Sequence, residues 1–126
     1  MWLRKFVYIQ VERGKFSARV INTASTVSLN CDGLSHPRTL AGDFSKIQSS
    51  FAKALKEILP RITLRKPYVL VHLLPTFEGG YTNVELRAFK EAAEALGAIV
   101  FLLGNSHGPL TDYQIRAVTD YIDPLA

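Results

Sequence analysis

The chain has 126 residues and a formal net charge of +4, with 48% hydrophobic and 21% charged residues. That is length enough for one domain with a real core, and an ordinary composition for a soluble globular protein. It excludes a membrane-spanning helix, since no apolar run nears the roughly 20 residues a bilayer needs, and a disulfide or cysteine–metal scaffold, since Cys31 is the only cysteine.

The opening residues Met1-Trp2-Leu3-Arg4-Lys5 lack the apolar stretch and small-residue cleavage site of a signal peptide. A cytoplasmic location is therefore expected. The charge is polarised: residues 1–66 hold 12 of the 15 Lys and Arg but only 4 of the 11 Asp and Glu. Such a half can favour an acidic partner or nucleic acid. Its cations are scattered, however, and only Arg61, Arg65 and Lys66 form a local cluster, so nucleic acid is not the expected partner.

In chain order, Phe6 to Val11 has strand composition, and Glu12-Arg13-Gly14-Lys15 reads as a hairpin turn. Phe16 to Ile21 alternates and should pair back antiparallel, with a weaker third strand from Ser25 to Leu29. Asn30 to Gly42 is loop-like, with Asp32-Gly33 and His36-Pro37 as turn signals, and is expected to be the most mobile part. A first helix should open at Asp43 to Ser45, where Ser45 and Gln48 fit a capping box. Phe44, Ile47, Phe51, Leu55, Ile58 and Leu59 give it one apolar face, and Pro60 stops it.

The stretch from Tyr68 to Leu103 organises the rest. Tyr68 to Leu74 is a near-continuous apolar run, as in a strand buried on both faces. Glu78-Gly79-Gly80 makes a turn, Thr82 with Glu85 a capping box, and Gly97 a left-handed helix terminator. Leu86, Phe89, Ala92, Ala93 and Leu96 line the buried side of this second helix. Arg87 and Glu91 form a surface pair worth roughly 0.3–0.5 kcal/mol. Ala98 to Leu103 is the second buried run, so the unit is β-α-β with parallel strands and a right-handed crossover. After the loop Gly104 to Pro109, Thr111 with Gln114 caps a third helix that offers Tyr113, Ile115, Ala117, Val118 and Ile122 for packing.

The order β-β-β-α-β-α-β-α implies an α/β domain with a mixed five-stranded sheet, the topology of the ribonuclease H-like fold and of one half of an actin-like core. Thr82 to Ala93, followed by Gly97-Ala98 and Val100-Phe101-Leu102, resembles the matching stretch of the bacterial actin homologue MreB. A closer resemblance, over most of the chain, is to the small bacterial YjaA family. It is carried by Tyr8-Ile9-Gln10, by Glu78-Gly79-Gly80 leading to Val84-Glu85, and by Leu110-Thr111-Asp112. That resemblance implies a stress-associated bacterial protein with no established reaction.

The chemistry of these folds is not visible in the residues. Where an actin-like phosphate loop would place its aspartate, the chain has Gln10, a poor substitute for a carboxylate metal ligand. A nuclease of this fold needs several carboxylates around two metals. The candidates here are Glu12, placed in the turn, and Glu57, at the far end of the first helix. His72 stands among apolar neighbours and is expected to be a core or edge residue with one hydrogen bond. Catalysis, cofactor and metal are therefore not expected, though His72, His107 and Glu78 could meet around a metal if the fold joined them. Two loops remain as contact candidates, both after the carboxyl ends of neighbouring parallel strands: Phe77, Glu78, Gly79, Gly80, Tyr81 and Thr82, and Asn105, Ser106 and His107. The expected role is protein–protein contact through these loops and through Arg61, Arg65 and Lys66. The alternatives are a small-ligand or nucleotide-binding module and an immunity or antitoxin-like partner. Homodimerisation at an unpaired sheet edge is a further expectation.

Overall fold

The computed structural model describes residues 5–36, 40, 42–59, 66–75, 80–104 and 109–119. Five strands, β1 (Phe6–Glu12), β2 (Lys15–Val20), β3 (Thr26–Asn30), β4 (Tyr68–Leu73) and β5 (Ile99–Leu103), form one sheet in the order β3-β2-β1-β4-β5. β1, β2 and β3 pair antiparallel in sequence, while β4 pairs parallel with β1 and β5 parallel with β4. Three helices, α1 (Phe44–Ile58), α2 (Asn83–Glu94) and α3 (Asp112–Thr119), complete the mixed α/β architecture. The parallel pair expected from Tyr68 and Ala98 is present, with Tyr68 opposite Ile99. The middle of the sheet is β1, with β4 beside it.

Strand alternation divides the core in two. Val7, Ile9 and Val11 of β1 join Phe16, Ala18, Val69, Val71 and Val100 beneath α1 and α2. Phe6 and Tyr8 point to the other face, with Leu70, Phe101 and Ile115 of α3. Phe6, Tyr68 and Phe101 form an aromatic cluster there, with ring centroids 5.7–6.3 Å apart. β1 is thus apolar on both faces because both are covered, whereas β2 buries only alternate residues.

Local signals set most boundaries, with several corrections. Glu12 is the last residue of β1, opposite Lys15, and the turn is Arg13-Gly14. The N-cap of α1 is Asp43, whose carboxylate accepts the Lys46 N–H; Ser45 lies inside the first turn, so the Ser45–Gln48 box does not form the cap. Phe44 is 37% exposed, and Ala54 takes a place in the buried face instead. On α2 the Thr82–Glu85 capping box is complete, and Gly97 has φ +76°. Arg87 and Glu91 both remain exposed; the pair on this helix is Lys90 with Glu94, at 3.8 Å. The Thr111–Gln114 box forms in both directions, but Tyr113 is 83% exposed while Ile115 is buried. Ile122 lies outside the described residues.

The segment from Asn30 to Gly42 is not merely loop. Asp32–Leu34 forms a 3-10 turn, and Leu34 and Leu40 are fully buried. Gly33 runs so close under α1 that a β-carbon there would stand 2.7 Å from the Asp43 carbonyl oxygen. Only glycine fits that approach, and the Asp43 N–H donates to the Gly33 carbonyl at 3.1 Å. The segment seats the start of α1.

Candidate functional site

The parallel strands β1, β4 and β5 end on one rim, where open α/β sheets place their ligands. Of the residues expected to act there, Phe77, Glu78, Gly79, Asn105, Ser106 and His107 lie outside the described residues, as do Arg61 and Arg65 of the basic segment. Lys66 is exposed at the entry to β4. Gly80 has φ +77° with nothing near its missing side chain, so conformation alone requires glycine. The Thr82 hydroxyl accepts the Glu85 N–H at 3.1 Å, and the Glu85 carboxylate accepts the Thr82 N–H at 3.0 Å. That helix start is therefore satisfied by its own side chains.

Tyr81, expected as a contact residue, is not freely exposed. It is half-buried, its hydroxyl donates to the Pro75 carbonyl, and its ring lies where a Gly104 β-carbon would be 3.3 Å away. It ties the loop after β4 to the end of β5. Burial pushes the Tyr81 phenol up to about 12; the Glu85 charge adds to this and Arg13 opposes it. Arg13 reaches the rim from the β1–β2 turn, its guanidinium donating to the His36 carbonyl at 2.7 Å.

A second polar group lies on the α3 side of the sheet. The Tyr8 hydroxyl is 2.6 Å from Nδ1 of His72, which is fully buried, and it accepts the Leu110 N–H at 3.2 Å. Arg19 of β2 donates to the Asp112 carboxylate and to the Leu110 carbonyl, and its guanidinium carbon lies 5.6 Å from the Tyr8 ring centre. The other Asp112 oxygen accepts the Asn22 N–H at 2.7 Å, from the β2–β3 turn. Together these bonds fasten the start of α3 across four parts of the sheet. Burial raises the Tyr8 phenol above its ordinary value, against the Leu110 N–H and the Arg19 charge. His72 is thus the hydrogen-bonded core histidine expected from its neighbours.

Both phenols give a pH prediction. Below pH 10, the ordinary tyrosine value, folded and unfolded chains hold these protons alike. Above it the unfolded chain releases protons that the folded chain keeps, so stability falls, for Tyr81 through about pH 12. Melting temperature should drop across that window. The late-rising part of the tyrosinate absorbance should lose the share of one phenol in Tyr81→Phe, that of Tyr8 remaining; early ionisation of Tyr81 in the folded protein would contradict the assignment.

A third feature has no counterpart in sequence reasoning: an open cleft of about 450 Å³ between the end of β3 and α1, lined by Asn30, Asp32, Lys46, Ser49 and Ser50 among others. Its only trace in the sequence is the run of serines and lysines along α1. Among the described residues no three His, Cys, Asp or Glu side chains come together to hold a metal. Likewise none of the described helices is long and apolar enough to cross a membrane. The fold and these sites define a small mixed α/β domain. Comparison with family models, curated proteins and solved structures finds no match to the chain.

Proposed function

We propose that this is a ribonuclease H-like domain of the half-actin type that acts through protein contacts and not by catalysis. The finer fold assignment is supported by the element order and by a sheet in which three antiparallel strands continue into two parallel ones. Membership of a YjaA-like, stress-associated family is part of the same proposal. It rests on the residues quoted for that resemblance.

One observation carries the functional reading. Across the centre of the sheet, Ser17, Gln10 and His72 lie in one row on neighbouring strands, and none is a carboxylate. Glu12 shares that face but sits opposite Lys15 at the hairpin end. Glu57 belongs to α1, which covers the opposite face. Two-metal chemistry needs carboxylates gathered on one side, and these are divided by the sheet.

Purified protein with Mg²⁺ or Mn²⁺ should leave ATP, GTP, DNA and RNA–DNA hybrids unchanged. Millimolar nucleotide should not raise its melting temperature, since any ligand of the native state must. Metal-dependent turnover that disappears in Gln10→Ala or Glu12→Gln would overturn the proposal.

A further inference from the structure

β3 ends the sheet on the side of α1. The Val20 N–H donates to the Ser25 carbonyl and the Cys31 N–H to the Gly14 carbonyl, so odd-numbered residues of this stretch aim their backbone at β2. Alternation turns the N–H and C=O groups of Thr26, Ser28 and Asn30 the other way. None of the described residues pairs with those groups. The strand, Thr-Val-Ser-Leu-Asn, has no charge and no proline, the usual devices that keep an edge from pairing.

We infer that β3 pairs antiparallel with β3 of a second copy of this chain, about a two-fold axis at Ser28. Ser28 then faces Ser28, and Thr26 faces Asn30 of the second copy, small polar side chains that fit without repulsion. On the other side of the strand, Val27 and Leu29 are only half-buried against the core. In the pair Val27 meets Leu29 of the second copy and Leu29 meets its Val27, and their burial is completed.

Charge selects a second copy over an acidic peptide at the same edge. Lys46, Ser50, Lys53 and Glu57 follow one another at helical spacing along one flank of α1. Lys46 and Ser50 line the cleft with Asn30, so this flank faces β3. An acidic strand would suit Lys46 and Lys53 but set a carboxylate against Glu57. The two-fold axis reverses the second α1 instead, bringing Lys46 opposite Glu57 and Ser50 opposite Lys53. The row is complementary to itself, as an isologous interface requires.

A five-residue edge and one helix flank make an interface below the standard size, so the dimer should be weak, with a dissociation constant on the order of micromolar. The proposal names the partner of the docking domain proposed above, yet the two fail separately. Turnover overturns the docking reading and leaves the dimer in place.

Sedimentation equilibrium of the full chain, from micromolar to near-millimolar concentration, is the test. Wild type should show a monomer–dimer equilibrium. Ser28→Pro removes one outward N–H at an edge position that tolerates proline, and Ser28→Lys opposes two cations at the axis. Both should be monomeric, with unchanged circular dichroism. Lys46→Glu and Glu57→Lys should each weaken association roughly tenfold, about 1.4 kcal/mol, and the double exchange should restore it. A wild type monomeric throughout overturns the inference. So does a dimer indifferent to Ser28 and Glu57, or one that the double exchange fails to restore. Binding of an extended acidic peptide at this edge by a chain that never dimerises would also overturn it.

Discussion

Replacing Phe51 by alanine is expected to cost about 3–5 kcal/mol, a large share of the 5–15 kcal/mol that holds an ordinary domain together. Phe51 is fully buried in the middle of α1 and meets Phe16 of β2 edge-on, with ring centroids 4.9 Å apart. Truncation loses the transfer free energy of the ring and leaves a cavity that a helix packed on a sheet can close only in part. The loss should appear as a lower denaturant midpoint with little change in slope. Phe44→Ala, seven residues earlier on the same helix, should cost markedly less, because Phe44 is 37% exposed where Phe51 is fully buried. Equal costs at the two positions would mean that the buried face of α1 is wrongly assigned. The effect reaches beyond stability. The seat of Phe51 sets the rotation of α1, and with it the direction in which Lys46, Lys53 and Glu57 point.

The parts of this fold that were legible in the sequence are those specified within a few residues. The run from Tyr68 to Leu73, the Thr82–Glu85 box, Gly97 and the run to Leu103 are local patterns, and each produced the element it indicates. Errors arose where packing, not pattern, decides. Phe44 looks apolar enough for a core but is left partly exposed, while Ala54 looks too small to matter and is fully buried. Asn30 to Gly42 contains turn residues and reads as loop. Yet Gly33, Leu34 and Leu40 are held by contacts with α1 and the sheet that no local window contains. The candidate sites show the same division. The helix caps beside them were evident; the joining of Tyr8 to His72, 64 positions apart, and of Arg19 to Asp112, 93 apart, was not. Such pairs exist only once the strand order β2-β1-β4 and its register are known.

The Tyr8–His72 pair is where removing one polar group should cost more than removing two. The Leu110 N–H can only donate, so it occupies one lone pair of the Tyr8 oxygen. The hydroxyl keeps its own proton to give, and with Nδ1 of His72 taken as the acceptor of that buried proton the ring proton of His72 is assigned to Nε2. Tyr8→Phe leaves a fully buried ring nitrogen without its donor and the Leu110 N–H without its acceptor. The expected cost is about 1–3 kcal/mol, the usual penalty for a buried polar group left unmade. His72→Leu does the converse, leaving the phenol without an acceptor, at a similar cost. With both replaced, the ring nitrogen and the phenol are gone together and only the Leu110 N–H stays without its acceptor, so the loss should fall short of the sum of the single changes by about 1–2 kcal/mol. Equilibrium unfolding of the four proteins closes the cycle. Additivity within about 0.5 kcal/mol would show that the two side chains are not coupled. Coupling also carries a structural consequence, because Leu110 leads into α3. Amide exchange at the start of α3 should therefore quicken in Tyr8→Phe and not in Phe44→Ala, since only the first change removes one of the bonds that hold this helix to the sheet.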